Sequence, residues 1–402
     1  MKYKTYKIKD LINEISMGPF GSNIKVECFV DSGIPVLNGS NLTGFALNDN
    51  SFRYVTPEKA DSLGKANAYR GDIVITHRGT LGQIVFIPEN SKHSRYVISQ
   101  SQFRVKCNEK ILPEYLVYYF HTNAGQHKLL SNASQVGVPA LARASTTFQT
   151  LEIDIPDVTE QRKIVDLLET IREKIELNNA INNNLLEQVL AIYRHRFVDT
   201  TNELRQICRA DEYFDISIGK TPPRKEPQWF STNPKDVTWV SISDMGTCGL
   251  YISESSEQLT KEAVDRHNVK IVPDNTVLLS FKLTVGRIAI TDGEMTTNEA
   301  IAHFKTDKKE INEYLYCYLK CFNYQTMGST SSIATAVNSK IIKGMPFIVP
   351  TDEEITEFHR LAAPMFARIK ANQAEIRNLT LLRDALLPKL MSGELNVSDI
   401  DL

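Results

Sequence analysis

The chain has 402 residues, 42% apolar and 23% charged, which is ordinary for a soluble globular protein with room for two or three domains. It contains no run of eighteen apolar residues and its start, MKYKTYKIKDL, lacks an apolar core, which argues against a membrane span and a secretory signal. Six scattered cysteines, none paired at zinc spacing, suit a reduced cytoplasm. The net charge of -2 does not advertise a nucleic-acid partner, but it is unevenly spread. Residues 1–155 stand at +4, residues 156–200 at -2, residues 201–350 at -1 and residues 351–402 at -3. A local basic face matters more for binding than the total.

In chain order, KTYKIKDLI predicts a short alternating strand running into a turn. MGPFGSNIK, Met17 to Lys25, predicts a Gly/Pro loop that ends in polar residues and a lysine. GIPVLNGSNL predicts a strand that empties into the polar turn Asn38-Gly39-Ser40-Asn41. In GDIVITHRGTLGQIVFIP, Ile73 to Ile75 form a buried strand, His77 to Thr80 the turn, and Ile84 to Ile87 the returning strand. VISQSQFRVK predicts one further strand. LPEYLVYYFHT predicts a short helix whose tyrosine and leucine stripe is core. A last strand, ending at Ile155, delivers Pro156 to a long helix.

That helix carries apolar residues at alternating steps of four and three: Ile164, Leu168, Ile171, Ile175, then Leu185, Val189 and Ile192. Asn178 and Asn182 occupy the middle of the seam. This 3.5-residue spacing is that of a coiled coil, in which a buried Asn selects register and partner. Adding 194 to each number finds a second copy at the C-terminus. Pro156 maps to Pro350, Ile171 to Met365, Ile175 to Ile369, Asn178 to Asn372, Leu185 to Leu379 and Ile192 to Leu386, with Ile376 on the same stripe. Matched asparagines in two copies argue for helices made to pair with each other. Pro364 is expected in the first turn of the second helix, and Pro388 and Gly393 at its end.

The globules repeat as well. ISIGKTPPRKEPQW stands where GPFGSNIK stood, VTWVSISDMG where IPVLNGSNL stood, and DNTVLLSFKLTVGRIAIT where GDIVITHRGTLGQIVFIP stood. The turn Arg78-Gly79-Thr80-Leu81-Gly82 thereby matches Lys282-Leu283-Thr284-Val285-Gly286. The strands keep their order while the loops differ, as expected for one fold carrying two sets of binding loops.

In GDIVITHRGTLG, IDIPDVTEQRKI and ALLPKLMSGEL most strongly, and over essentially its whole length, the sequence resembles the DNA-specificity (S) subunit of Type I restriction-modification systems. The second helix departs from the pattern, since Ile355-Thr356-Glu357 stands where Gln161-Arg162-Lys163 stands in the first. The resemblance implies an α+β fold. Two tandem target-recognition domains, 1–155 and 201–350, alternate with a central helix, 156–200, and a C-terminal helix, 351–402, that pair as an antiparallel coiled coil. It implies a chain without catalytic residues, metal or cofactor of its own. S-adenosylmethionine, ATP and Mg are expected on partner subunits. The partners implied are double-stranded DNA with a bipartite target, two modification (methyltransferase) subunits, and ATP-dependent restriction subunits.

Reading DNA needs donors and acceptors on loops held by a rigid sheet. In the first globule the candidates are Ser22, Asn23, Lys25, Asn38, Ser40, Asn41, His77, Arg78 and Thr80. In the second they are Lys220, Thr221, Arg224, Lys225, Ser243, Asp244, Lys282, Thr284 and Arg287. No G-x-x-x-x-G-K-[ST] loop occurs, and Asn233-Pro234-Lys235 fails the adenine-methyltransferase motif at its third position. Pro156-Asp157 with Glu160 and Lys163 is too tightly spaced for a nuclease metal site. Cys317 and Cys321, and His121 and His127, read as structural. The different-class alternative is a protein–protein scaffold or orphan relative that binds no DNA.

Overall fold

A computed structural model describes residues 3–134, 137–200, 202, 205–327 and 338–400. The predicted boundary between the first long helix and the second globule falls at Thr201, outside the described residues. The chain folds as two compact units, Met1–Lys174 with Leu379–Leu402, and Ile175–Asn378. Each unit therefore holds one globule together with part of each long helix. No helix among the described residues is long and apolar enough to cross a membrane.

The first globule opens and closes on one antiparallel ribbon, Lys4–Lys7 against Glu152–Ile155. Ile153 and Ile155 face inward and Glu152 and Asp154 outward, the period-2 alternation of a half-buried strand. Beyond the ribbon lie a short antiparallel pairing, Ala133–Ser134 with Ala140–Leu141, and two larger sheets. One is antiparallel, in the order Ile12–Met17, Gln102–Cys107, Ile73–Thr76, Ile84–Phe86. The other runs Phe29–Val30, Arg53–Val55, Ile34–Val36, Arg95–Val97, Asn67–Tyr69, and its Ile34–Val36 and Arg95–Val97 strands are parallel. Ile73–Thr76 and Ile84–Phe86 are buried along their whole length, which explains their unbroken apolar runs. The helix Pro113–His121 buries every residue from Tyr115 to Phe120, so its aromatic stripe is core as expected.

The second globule repeats the order of the first four strands in each of the two larger sheets. Gln206–Arg209 pairs with Pro346–Val349 as the ribbon. One sheet runs Asp215–Ile218, Ile301–Lys305, Val277–Ser280, Ile288–Thr291, then Tyr251–Ile252. The last strand joins in parallel, where the first globule has, among the described residues, the single parallel bridge Ala46 to Phe86. The other sheet runs Phe230–Ser231, Glu257–Leu259, Val237–Val240, Thr296–Thr297, again with the third and fourth strands parallel. Even the glycines correspond. Gly18 donates its N–H to Gln102 and Gly219 to Ile301, and at each a Cβ would strike the crossing loop within about 2 Å, at 1.9 Å from the Ser99 carbonyl oxygen and 2.1 Å from the Thr297 hydroxyl.

One strand expectation needs correcting. VISQSQFRVK is two strands in two sheets, Arg95–Val97 and Gln102–Cys107, because the turn at Ser99 to Gln102 breaks the run.

The long helices span Val158–Tyr193 and Asp352–Ser392. At about 1.5 Å per residue, they are roughly 54 and 62 Å long. Asp157 caps the first, accepting from the Glu160 N–H at 3.1 Å. At the matching place Thr351 and Glu354 form a reciprocal capping box, with the Glu354 N–H to the Thr351 hydroxyl at 3.2 Å and the Thr351 N–H to the Glu354 carboxylate at 2.9 Å. This box starts the second helix twelve residues before Pro364, so Pro364 is interior, not first-turn. Pro388 is interior too. Each leaves a carbonyl four residues earlier, Arg360 and Asp384, without its helical donor. The helix stops at Gly393, whose left-handed φ of 78° ends it as expected. There the Tyr3 hydroxyl donates to the Leu390 carbonyl at 2.9 Å.

In the second unit the polar register of the seam is explicit. Asn178 and Asn372 are buried. The Asn178 amide donates to Glu375 at 2.8 Å and the Asn372 amide to Asn182 at 2.8 Å. Numbers rise along one helix as they fall along the other, so the helices run antiparallel. Among the other seam residues, Ile164, Leu168, Ile171, Val189 and Ile369 are buried, and Ile175, Leu185, Ile192, Met365, Ile376, Leu379 and Leu386 half-buried. A second apolar stripe escaped the 3.5-residue reading. Val165, Leu167, Leu190, Tyr193, Ala362, Phe366, Leu387, Leu390 and Met391 are also buried. In the second unit, Leu190, Tyr193, Phe358, Ala362 and Phe366 join the core cluster that contains the helix Asn312–Cys321 and the sheet strands. Each helix must satisfy both its partner helix and a globule, which widens the apolar face beyond a two-residue seam.

Candidate nucleic-acid interface

In the first globule the candidate loops are tied together around the hairpin turn at His77 to Gly82. The His77 N–H donates to the Ser101 carbonyl at 2.8 Å, and its ring Nε2 lies 3.1 Å from the Gln100 carbonyl. Burial lowers the His77 pKa, so this imidazole is neutral at ordinary pH and braces the loop. Gly21 abuts the Gln100 side chain, which brings the Met17–Lys25 loop onto the same segment. Gln83 links the third loop. It accepts from the Thr76 hydroxyl at 3.1 Å and donates to the Gly39 carbonyl at 3.0 Å. Three loops distant in sequence thus converge, with Ser22, Asn23, Lys25, Asn38, Ser40, Arg78 and Thr80 exposed on them.

Asn41 is not among them. It is fully buried, donates to the Asn48 and Asn50 carbonyls at 3.1 and 2.8 Å, and accepts from the Asn38 N–H at 3.0 Å. It builds the turn instead of meeting a ligand. Ser40 donates its hydroxyl to Asn38 Oδ1 at 2.6 Å, so that oxygen too is spent locally.

The second globule gathers its loops around Glu299, which the sequence reading missed. The Thr221 hydroxyl donates to the Glu299 carboxylate. Burial would raise that carboxyl's pKa. The Thr221 hydrogen bond, with the charges of Lys282 and Arg224, holds it below the ordinary value instead. Lys220, Lys225, Ser243, Lys282 and Thr284 are exposed.

Two expected cations already have protein partners, Arg224 while exposed and Arg287 half-buried. Arg224 grips Glu257 with both terminal nitrogens at 2.9 Å and lies over Phe230 and Trp239, 4.1 and 4.6 Å from their ring centroids. Arg287 donates to the Ile242 carbonyl and abuts Gly246, fastening the Ser241–Thr247 turn to the hairpin. Asp244 is likewise structural, accepting from the Ser241 N–H and hydroxyl and the Ser256 N–H at 2.8, 2.6 and 3.0 Å. Aromatic and acidic neighbours distant in sequence could not be seen from the run TPPRK alone.

The two hairpin turns match in backbone but not in residue. Gly79 and Gly82 have φ of 89° and 85°; Leu283 and Gly286 have 59° and 90°. Leu283 holds a conformation natural to glycine at a strain of about 1–2 kcal/mol, and it is 100% exposed. Phe20, on the Met17–Lys25 loop, is 83% exposed. Neither was anticipated. For Leu283 the signal was its alignment with Gly79.

The loops differ while the scaffold repeats, and comparison with known proteins agrees with that arrangement. Residues 2–187 and 203–374 each match the family model described as Type I restriction modification DNA specificity domain. The chain is 23% identical over 435 residues to the Type I restriction enzyme HindI specificity subunit of Haemophilus influenzae, covering 88% of this chain and 93% of the relative. It is 25% identical over 425 residues to the MjaIX specificity subunit of Methanocaldococcus jannaschii, covering 98% and 94%. Among solved structures, the S subunit of a Type I restriction-modification system from M. genitalium superposes with a TM-score of 0.57 at 14% identity, covering 97% of this chain and 96% of that one.

Proposed function

The chain belongs to the family of specificity subunits of Type I restriction-modification systems, non-catalytic DNA-recognition subunits, and we propose that each of its globules reads one half of a bipartite double-stranded target. The observation that carries this reading is the repeat itself. Two globules whose sheets share the same four-strand order hold two chemically different sets of polar loops. A scaffold repeated with unlike loops suits two unlike half-sites on one duplex, which lie about 34 Å apart when separated by one turn. The exposed Lys25, Arg78, Lys220, Lys225 and Lys282 serve phosphates and base edges. The braces His77, Asn41, Arg287 and Asp244 keep the loops in one shape, which lowers the ordering cost of binding.

The antiparallel helix pair sets the unread spacer and docks two modification subunits. Two like halves present two like surfaces, so one copy of this chain accepts two identical partners. Restriction subunits join through that assembly. S-adenosylmethionine, ATP and Mg act on those partners, and the cytoplasm is where they meet DNA.

The test is sequence selection from a random duplex library by the chain co-expressed with its modification subunit. A gapped motif of two short half-sites is expected. No enrichment by an intact complex overturns the reading. Inserting four residues after Asn178, about one helical turn, moves Asn182 away from Asn372 and is expected to change or abolish the spacer preference. An unaltered spacer removes the helix pair from that role.

A further inference from the structure

Among the described residues, Leu283 combines two costs without any folding return in its surroundings. It is fully exposed, and it occupies a left-handed backbone conformation that the matching turn of the first globule gives to glycine. The loop around it is held, not slack. The Thr284 N–H donates to the Lys282 carbonyl at 2.6 Å. The Ser280 hydroxyl donates to the Thr284 carbonyl at 2.6 Å and accepts from the Arg287 N–H at 3.0 Å. The Gly286 N–H closes the turn on the Ser280 carbonyl at 3.0 Å. Lys282 and Thr284 flank the leucine, both exposed, and Lys282 is near Glu299. A rigid tip presents one apolar side chain between a cation and a hydroxyl.

We propose that Leu283 determines specificity at one position of the half-site read by the second globule, by apolar contact with a thymine C5 methyl in the major groove. This rests on the DNA-reading function above. Leucine carries no donor or acceptor. Of the groups that base edges present in the major groove, the thymine methyl is the apolar one it can discriminate. Lys282 supplies a phosphate contact that seats the tip, and Thr284 a hydrogen-bonding neighbour.

The experiment compares selected motifs for the complete complex carrying wild-type chain, Leu283→Met or Leu283→Gly. With Leu283→Gly, preference for thymine at one position of one half-site is expected to fall roughly fourfold, the worth of about one buried methyl group. The other half-site and the spacer stay unchanged, and Leu283→Met keeps the preference. Replacing that thymine by deoxyuracil lowers wild-type binding by a similar factor and leaves the Leu283→Gly complex unmoved. Leu283→Gly is expected to melt no lower than wild type, since it relieves strain, so lost binding cannot be laid to unfolding. An unchanged motif in Leu283→Gly overturns the proposal, as does flattening at a base other than thymine or a uniform loss across all sequences. In each of those cases the wild-type gapped motif still stands. Absence of any motif with wild type overturns the DNA reading and this inference together.

Discussion

At one lattice point of the repeated sheet the two units solve the same problem in opposite ways. In the first, Arg104 lies opposite Ser16 and Val74; in the second, His303 lies opposite Ser217 and Leu278. Both are buried. Arg104 is ion-paired, reaching Glu14 at 2.7 Å, Asp72 at 3.2 Å and the Lys65 carbonyl at 2.9 Å. Burial raises the Asp72 carboxyl even so, against the pull of the Tyr69 N–H and Arg104. His303 stays neutral. Its ring nitrogens lie 3.0 Å from the Ser217 hydroxyl and 2.7 Å from the Thr297 hydroxyl, and burial, helped by Lys305, lowers its pKa to about 3. The backbone plan therefore places no demand on charge at this point. It demands only that the buried group be satisfied locally. Two diverged copies of one sheet can hold quite different electrostatics.

The largest effect is expected from breaking the charged solution. Arg104→Leu leaves Asp72 buried without its cation and should cost about 3–5 kcal/mol. Chemical unfolding followed by a probe in the first globule measures it, and Arg104→Leu with Asp72→Leu should recover much of the loss. An unaltered midpoint in the single variant would show that the pair carries little weight.

Acid should act first on the neutral solution. His303 has a folded pKa of about 3, below the unfolded value of about 6.5. The unfolded chain therefore binds the extra proton between those values, and the stability conferred by the neutral ring is present above about pH 6.5 and lost as pH falls toward 3. From pH 7 to 5 this amounts to about 2 kcal/mol. Thermal melts of the second globule across that range should show the slope, and His303→Gln should flatten it.

Smaller effects sharpen the comparison at the helix pair and the turns. Asn372→Ala removes the donor to Asn182 and should cost about 1–1.5 kcal/mol, read from denaturant midpoints. The glycine and leucine of the matched turns offer a reciprocal pair. Gly79→Leu should destabilise by about 0.5–1 kcal/mol and Leu283→Gly should stabilise by a similar amount. Equal signs for the two would mean that the turns do not share a backbone.

The helix starts show where sequence alone runs short. Ile355 in place of Gln161 raised the question of unlike contacts, and the contacts are unlike. Buried Gln161 accepts from the Leu112 N–H at 3.0 Å and donates to the Lys110 and Pro156 carbonyls at 2.9 and 3.0 Å. Ile355 packs in the apolar core, and the polar tie moves to Glu354, gripped by Arg205 at 2.8 Å. The substitution was visible; its replacement partner was not, since Arg205 lies 149 residues away from Glu354.

Periodicity and internal repetition determined the plan: two globules, two long helices, matched asparagines at a seam, and hairpin turns in corresponding places. These are local or self-referential patterns, and a 3.5-residue or 2-residue period follows from backbone geometry without knowledge of the fold. Which side chains remain available at the candidate interface was decided only by tertiary structure. Asn41, His77 and Arg287 have the right chemistry to meet DNA, yet each is engaged by a backbone carbonyl. Leu283 lacks the usual chemistry and stands fully in solvent. A residue type states what a side chain can bond, while burial and neighbours brought together by the sheet decide whether that capacity is already used.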